Sequence, residues 1–250
     1  MFKKVWKEEK IPTRWTKTTL LQLYKMKGDF QELKNLRNIH LKDTTVKVFS
    51  KIVVNTTKQI LMKNMSPFQI GTKKGHRASE HIYVLKSVMQ LYAAQSKPLI
   101  TSYFDYATFF DSESISDVMH EVYRAGVRGK AYRLLYRLNE RTAIRVSTPV
   151  GLTAEAIVDE IVGQGTVEGA VVSAVSIGEG VEEYFRDSPY ELWYYDIGLQ
   201  PAVFMDGVAR CAAGRREAQV GNNLIESVTE SKQLTLNHDK RHTWYWALRR

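Results

Sequence analysis

A single cysteine, Cys211, stands in the 250 residues, so no internal disulfide can brace the fold and a reducing compartment is expected. The six histidines show no zinc spacing, and His238 and His242, the one pair four residues apart, lack cysteine partners and read as surface. No apolar run approaches the roughly 18 residues of a membrane span. The basic start Met1–Glu8 has no hydrophobic stretch behind it, so no secretory leader is expected, and an intracellular site, nucleus or cytoplasm, is. Gly169, Gly178 and Gly180 are followed by no Lys-Ser/Thr pair, which excludes a phosphate loop of the nucleotide-hydrolase kind. No Gly-x-Ser-x-Gly elbow occurs, and there is neither an internal repeat nor a low-complexity tract.

Negative charge is scarce at one end. Residues 1–100 carry 20 Lys/Arg against 6 Asp/Glu, whereas residues 101–250 carry 16 against 21, for a formal net charge of +9. Trp6, Trp15, Tyr24, Phe30 and Phe49 are interleaved with the basic residues, a pattern that fits nucleic-acid contact better than a merely solvated surface. With 44% hydrophobic residues the chain can bury a sizeable core in one large domain or two small ones.

Helical spacing recurs. Helices are predicted across Thr44 to Met62 and across Ser79 to Ala93, where Ile82, Leu85, Val88 and Met89 make an apolar stripe. Ser114 and Asp117 resemble a capping box ahead of Ile115, Val118, Met119 and Val122, and Gly126 is a natural stop. A further helix places Ala131, Leu134, Leu135 and Leu138 on one face. Thr142–Val146 and Ala156–Val162 read as strands about a Thr148-Pro149-Val150-Gly151 turn, and the small residues from Gly169 to Ser176 permit close packing.

Two further strand-like runs end in an aspartate. Leu99 to Phe104 leads into Asp105, and Pro201 to Met205 leads into Asp206, with Asp206-Gly207 predicted as the turn of a hairpin that returns through Val208 to Ala212. Two carboxylates at strand ends suit a pair of Mg²⁺ ions, which want hard oxygen ligands and leave room for phosphate and water.

The order of motifs resembles the reverse transcriptase domain of non-LTR retrotransposons over nearly the whole chain. Lys25-Met26-Lys27-Gly28-Asp29 and Leu36 to Leu41 are similar to the start of that family's fingers, and Ser66-Pro67-Phe68-Gln69-Ile70-Gly71 to its glutamine-glycine block. Phe104 to Asp111 is similar to polymerase motif A, Gln164 to Gly169 to motif B, Phe204 to Gly207 to motif C and Leu236 to Lys240 to motif D. The resemblance implies an α+β right-hand polymerase of fingers and palm, a mixed antiparallel sheet with packed helices. It divides the chain into a fingers-like basic region, 1–98, and a palm, 99–250, with a fingers insertion at about 113–160. Arg250 follows Lys240 closely, so a thumb is expected to be absent.

Carried over by position, Asp105 and Asp206 would bind two Mg²⁺, or Mn²⁺, and Lys240 would act as general acid near the leaving pyrophosphate. Phe110 would lie under the sugar, Gln164 and Gly165 would line the template and nucleotide pocket, and Lys25, Lys27 and Arg37 would grip the incoming triphosphate. The implied substrates are dNTPs on an RNA template with a DNA primer. At motif C, however, the family's second Asp is Gly207. Two functional readings follow: an RNA-templated DNA polymerase, impaired by the lost carboxylate, or a catalytically inactive polymerase-like fold that only binds nucleic acid.

Overall fold

The computed structural model of the chain describes residues 1–107, 109–159, 162–163, 165–186, 192–194, 197–199, 201–205 and 207–246. Its elements in chain order are α1 (Phe2–Glu8), β1 (Lys17–Tyr24), β2 (Leu36–Leu41), α2 (Thr44–Asn64), α3 (Ala78–Ala94), β3 (Leu99–Phe104), α4 (Phe109–Ser112), α5 (Ile115–Arg124) and α6 (Gly129–Arg137). There follow β4 (Arg141–Thr148), β5 (Gly151–Leu152), β6 (Ala156–Asp159), α7 (Gly169–Phe185), β7 (Leu192–Tyr194), β8 (Ile197–Leu199), β9 (Ala202–Phe204), β10 (Gly207–Ala212), α8 (Arg215–Ser231) and β11 (His242–Trp246). They form two compact units, each made of two stretches of chain: Met1–Asn64 with Phe110–Ser173, and Met65–Phe109 with Ala174–Arg250.

In the first unit the sheet order is β2-β1-β4-β5, with β6 also paired to β4. β1 runs antiparallel to β2 but parallel to β4, from which it is separated by a long stretch of intervening chain, the crossover that parallel pairing requires. α2 sets Val46, Phe49, Val53, Val54 and Leu61 on a buried face. The Phe49 ring lies 5.2 Å from that of Trp15, which is wholly buried. Ile115, Met119, Leu134, Leu135 and Leu138 are also nearly inaccessible, and burial of each such side chain is worth about 1.5–3 kcal/mol. α5 begins without the expected capping box, because the Ser114 hydroxyl bonds the Ser116 hydroxyl at 2.7 Å instead of a backbone N–H. Its end is as expected, with Gly126 at a φ of 96°.

A buried ion pair fastens this unit. Lys42 Nζ donates to Glu168 Oε1 at 3.0 Å and to Leu138 O and Asn139 Oδ1 at 3.2 Å each. Three acceptors around one ammonium offset the cost of taking the charges out of water.

The second unit is built on an antiparallel sheet, β11-β3-β10-β9. β3 is buried on both faces, and its polar residues Thr101 and Ser102 are buried with its apolar ones. On one face Leu99 packs with Val88 and Tyr92 of α3, with Cys211 beside them. On the other, Ile100 and Ala212 pack with Ala218 of α8. Arg210 also points to α8, donating to the carbonyls of Glu217 (3.3 Å) and Ala218 (2.9 Å). Gly221 makes room for it, since a Cβ there would fall 1.9 Å from the guanidinium carbon.

The α+β class is as the sequence implied, with the parallel strand pair β1–β4 in the first unit and the four strands of the second unit's sheet paired antiparallel with one another. The stripe on α3 is only half seated: Val88 is buried, whereas Ile82 is 53% exposed. Among the described residues no helix is long and apolar enough to cross a membrane.

Candidate functional site

Asp105 follows the last residue of β3. Phe104 pairs with Val208, so continuing the register by one residue brings Asp105 level with Gly207 at the turn end of the β9–β10 hairpin. Beyond it, Tyr106 bridges Leu236, Ala107 N donates to Thr235 O at 2.8 Å and Asn237 N donates to Asp105 O at 2.7 Å. This short pairing lays the motif D segment along motif A. The tight turn His238–Lys240 then returns Lys240 Nζ to within 2.7 Å of Asp105 Oδ2, and Asn237 Nδ2 lies 3.4 Å from the same oxygen.

The Lys240 side chain is 61% exposed and that of Asp105 26%. An ion pair so open to water contributes about 0–1 kcal/mol, so it orients the carboxylate more than it stabilises the unit, and another cation can displace it.

The hairpin is held from a distant part of the chain. Gln69, wholly buried, bonds Met205 twice, with Nε2 donating to Met205 O at 2.9 Å and Oε1 accepting from Met205 N at 3.0 Å. The same Oε1 accepts from Gly71 N at 2.9 Å. Ile70 N donates to Val203 O and Val203 N to Phe68 O, each at 3.2 Å, adding a short parallel pairing. Two glycines permit this approach. A Cβ at Gly71 would fall 2.5 Å from Met205 N, and one at Gly178 of α7 would fall 2.9 Å from the Cβ of Gln69.

The turn differs from the one expected. An Asp-Gly type I′ turn at 206 and 207 needs positive φ at both residues. Gly207 instead has no positive φ and already pairs with Phe204 in the ladder, while Met205 carries a φ of 56°. The left-handed residue is thus Met205 and not Gly207, and Met205 is the residue that Gln69 bonds at both its N–H and its carbonyl.

Asp206 and Gln164 lie outside the described residues. Gly165 has a φ of 90° and lies in the first unit, where a Cβ would be 3.4 Å from Ile39 Cγ2. Lys25, Lys27, Arg37 and Phe110 belong to that unit too. Lys25 Nζ donates to Lys34 O at 2.8 Å across the β1–β2 loop. Lys27 and Arg37 are exposed, and Phe110 is half-buried in α4. Within the second unit the structure joins Asp105 to Lys240 and adds Asn237, Gln69 and Gly71, to which the sequence reading gave no role. For Gln69 and Gly71 the available signal was their spacing two apart within the glutamine-glycine block.

Among the described residues no three His, Cys, Asp or Glu side chains cluster as a metal cage. Mg²⁺ does not need one, since phosphate oxygens and water complete its octahedron. Asp105 suits that chemistry, for its Oδ2 already holds a cationic group, whereas Gly207 adds no ligand.

No protein-family model and no curated protein sequence matches the chain. Its fold is similar to that of apo telomerase from Candida tropicalis, truncated from its C-terminal domain, with a TM-score of 0.65 at 9% identity over 95% of this chain and 51% of that one. Telomerase from Candida albicans, solved in complex with the TWJ fragment of telomeric RNA, gives 0.59 at 11% identity over 96% and 45%. The chain thus spans about half the length of these telomerases and shares its fold with that part of them.

Proposed function

We propose that the chain is the polymerase part of a reverse transcriptase that copies an RNA template into DNA from a DNA primer. The observation that carries this reading is Asp105 at the end of β3, level with Gly207 of a hairpin whose turn is clamped by Gln69. The telomerase-like fold supports it, as does the binding of telomeric RNA in one of those structures. In this reading the second unit is the palm and the first supplies the fingers. Asp105 and Asp206 would hold Mg²⁺, which would supply Lewis-acid chemistry to a primer 3′-OH and to the leaving pyrophosphate. Lys240, displaced from Asp105, becomes the proton donor on the leaving side. Phe110 lies under the sugar, Gln164 and Gly165 border the nucleotide, and Lys25, Lys27 and Arg37 meet the triphosphate.

Extension of a DNA primer on an RNA template, with dNTPs and either Mg²⁺ or Mn²⁺, tests the reading. Activity lost in Asp105→Asn supports it, and activity that survives this substitution refutes it. A second reading, nucleic-acid binding without synthesis, is favoured by the missing carboxylate at Gly207. RNA binding with no extension in either metal would select it.

A further inference from the structure

Between α3 and the face of the four-stranded sheet it covers lies a cavity of about 140 Å³ in the second unit. Its floor is a single cross-strand row, for Tyr103 pairs with Ala209 and Ala209 with Ala202. Two of the three are alanines, so the row is low. Its roof is Ile82, Leu85 and Val88 of α3. The helix comes down onto the sheet at Leu99 and Cys211, one end of this face, and stands off over the alanine row at the other. The gap opens to solvent past Ile82, and the neighbouring Tyr83 is 74% exposed.

We propose that this cavity is a binding site for a small neutral aromatic molecule of one or two rings. A volume near 140 Å³ matches that of an apolar cavity able to take up benzene. The charged group nearest at hand is already committed: the Arg210 guanidinium donates to α8 carbonyls on the other face of the sheet. The titratable side chains along the walls favour their neutral forms. Burial lowers the pKa of His81, raises that of Tyr103 and pushes the Cys211 thiol up to about 12. An anionic or cationic ligand would therefore leave water without a counter-charge, whereas an uncharged ring gains apolar contact on both sides.

Indole is the probe, titrated into the full chain with the methyl resonances of Ala202, Ala209 and Ile82 followed by NMR. Saturable shifts of these methyls are expected, and the neutral probe should bind at least tenfold more tightly than benzoate. Ala209→Leu, which fills the floor, should abolish the shifts at Ala202 and Ile82. Ile82→Trp closes the mouth from an exposed position and should abolish the shifts at Ala202 and Ala209 in a folded chain, so the test does not depend on either variant alone. No saturable shift up to the solubility of indole, equal binding of benzoate, or indole shifts at Ala202 that persist in folded filled variants would overturn the proposal.

Discussion

Gln69 acts on Met205 as an additional peptide unit, its side-chain amide donating to the Met205 carbonyl and accepting from the Met205 N–H. A side chain thus completes the ladder where the backbone of the turn cannot. It also holds Met205 in the left-handed region, which costs a residue other than glycine about 1–2 kcal/mol.

Replacing Gln69 with Leu should destabilise the second unit, since it removes the partner of the part-buried Met205 N–H and carbonyl, and a typical hydrogen bond contributes about 0.5–1.5 kcal/mol. Hydrogen exchange at the Met205 amide should accelerate more than at Val203. Gln69→Glu keeps the acceptor for Met205 N and should recover part of the protection. Unchanged exchange at Met205 in Gln69→Leu would show that the turn holds itself.

Gly207→Asp should fold. Gly207 has no positive φ, and a Cβ would meet only Phe204 O, at 3.4 Å, so the change should cost less than about 1 kcal/mol, the span of strand propensities. The added carboxylate should tighten Mn²⁺ binding, read by electron paramagnetic resonance, and lower the metal concentration needed for primer extension. Gly71→Ala is the contrasting variant, with its Cβ 2.5 Å from Met205 N, and should be strongly destabilised.

Lys42→Met should cost about 3–5 kcal/mol in urea unfolding, because it leaves the buried Glu168 carboxylate without its partner. A double variant, Lys42→Met with Glu168→Leu, should recover most of the loss. Equal stability of the single variant and the native chain would contradict the buried pair.

Cys211 gives the chain an alkaline limit. Burial raises its thiol to about 12 in the folded protein, above the ordinary 9.0. The unfolded chain therefore gives up this proton first, and the thiol's contribution falls as pH rises from about 9 towards 12, with a limiting slope of about 1.4 kcal/mol per unit. The difference in stability between the native chain and Cys211→Ala should shrink over that window and stay constant below pH 8. Alkylation by iodoacetamide at pH 8 should be slow until the protein unfolds.

RNA binding should weaken steeply with salt, by about −0.7 in log K per log salt for each phosphate contacted. Reversing Lys25, Lys27 and Arg37 to Glu should flatten that slope, as measured by fluorescence anisotropy. An unaltered slope would place the nucleic acid elsewhere.

Elements governed by local pattern were legible in the sequence. β3 occupies Leu99–Phe104 as read, and α2 and α3 extend the predicted helices by one or two residues at their ends. What escaped is governed by distant chain. The Asp-Gly pair predicts positive φ at Gly207, yet the left-handed residue is Met205, bonded by Gln69 from 136 residues earlier in the chain. Lys42 and Glu168 lie 126 residues apart, and no periodicity links them. Ser114 has the residue type of a cap but bonds a neighbouring hydroxyl, whereas Glu80 accepts from Arg77 N at 2.8 Å at a helix start that the arginine disguised. At the candidate site Asp105 and Lys240 were readable one by one. Their contact depends on the pairing of residues 105–107 with 235–237, which no local spacing reveals.

The order of strands in the second sheet also bears on synthesis. β3 is an interior strand whose neighbours, β10 and β11, lie more than a hundred residues further along the chain. At a translation rate of about 5–20 residues per second, this strand, with both edges open, waits on the order of 5–20 seconds for its first partner. The first unit draws only on residues up to Ser173 and can close during that wait. Open strand edges pair readily with other chains, so the interval before β10 emerges is when this protein is most exposed to misassociation on the ribosome.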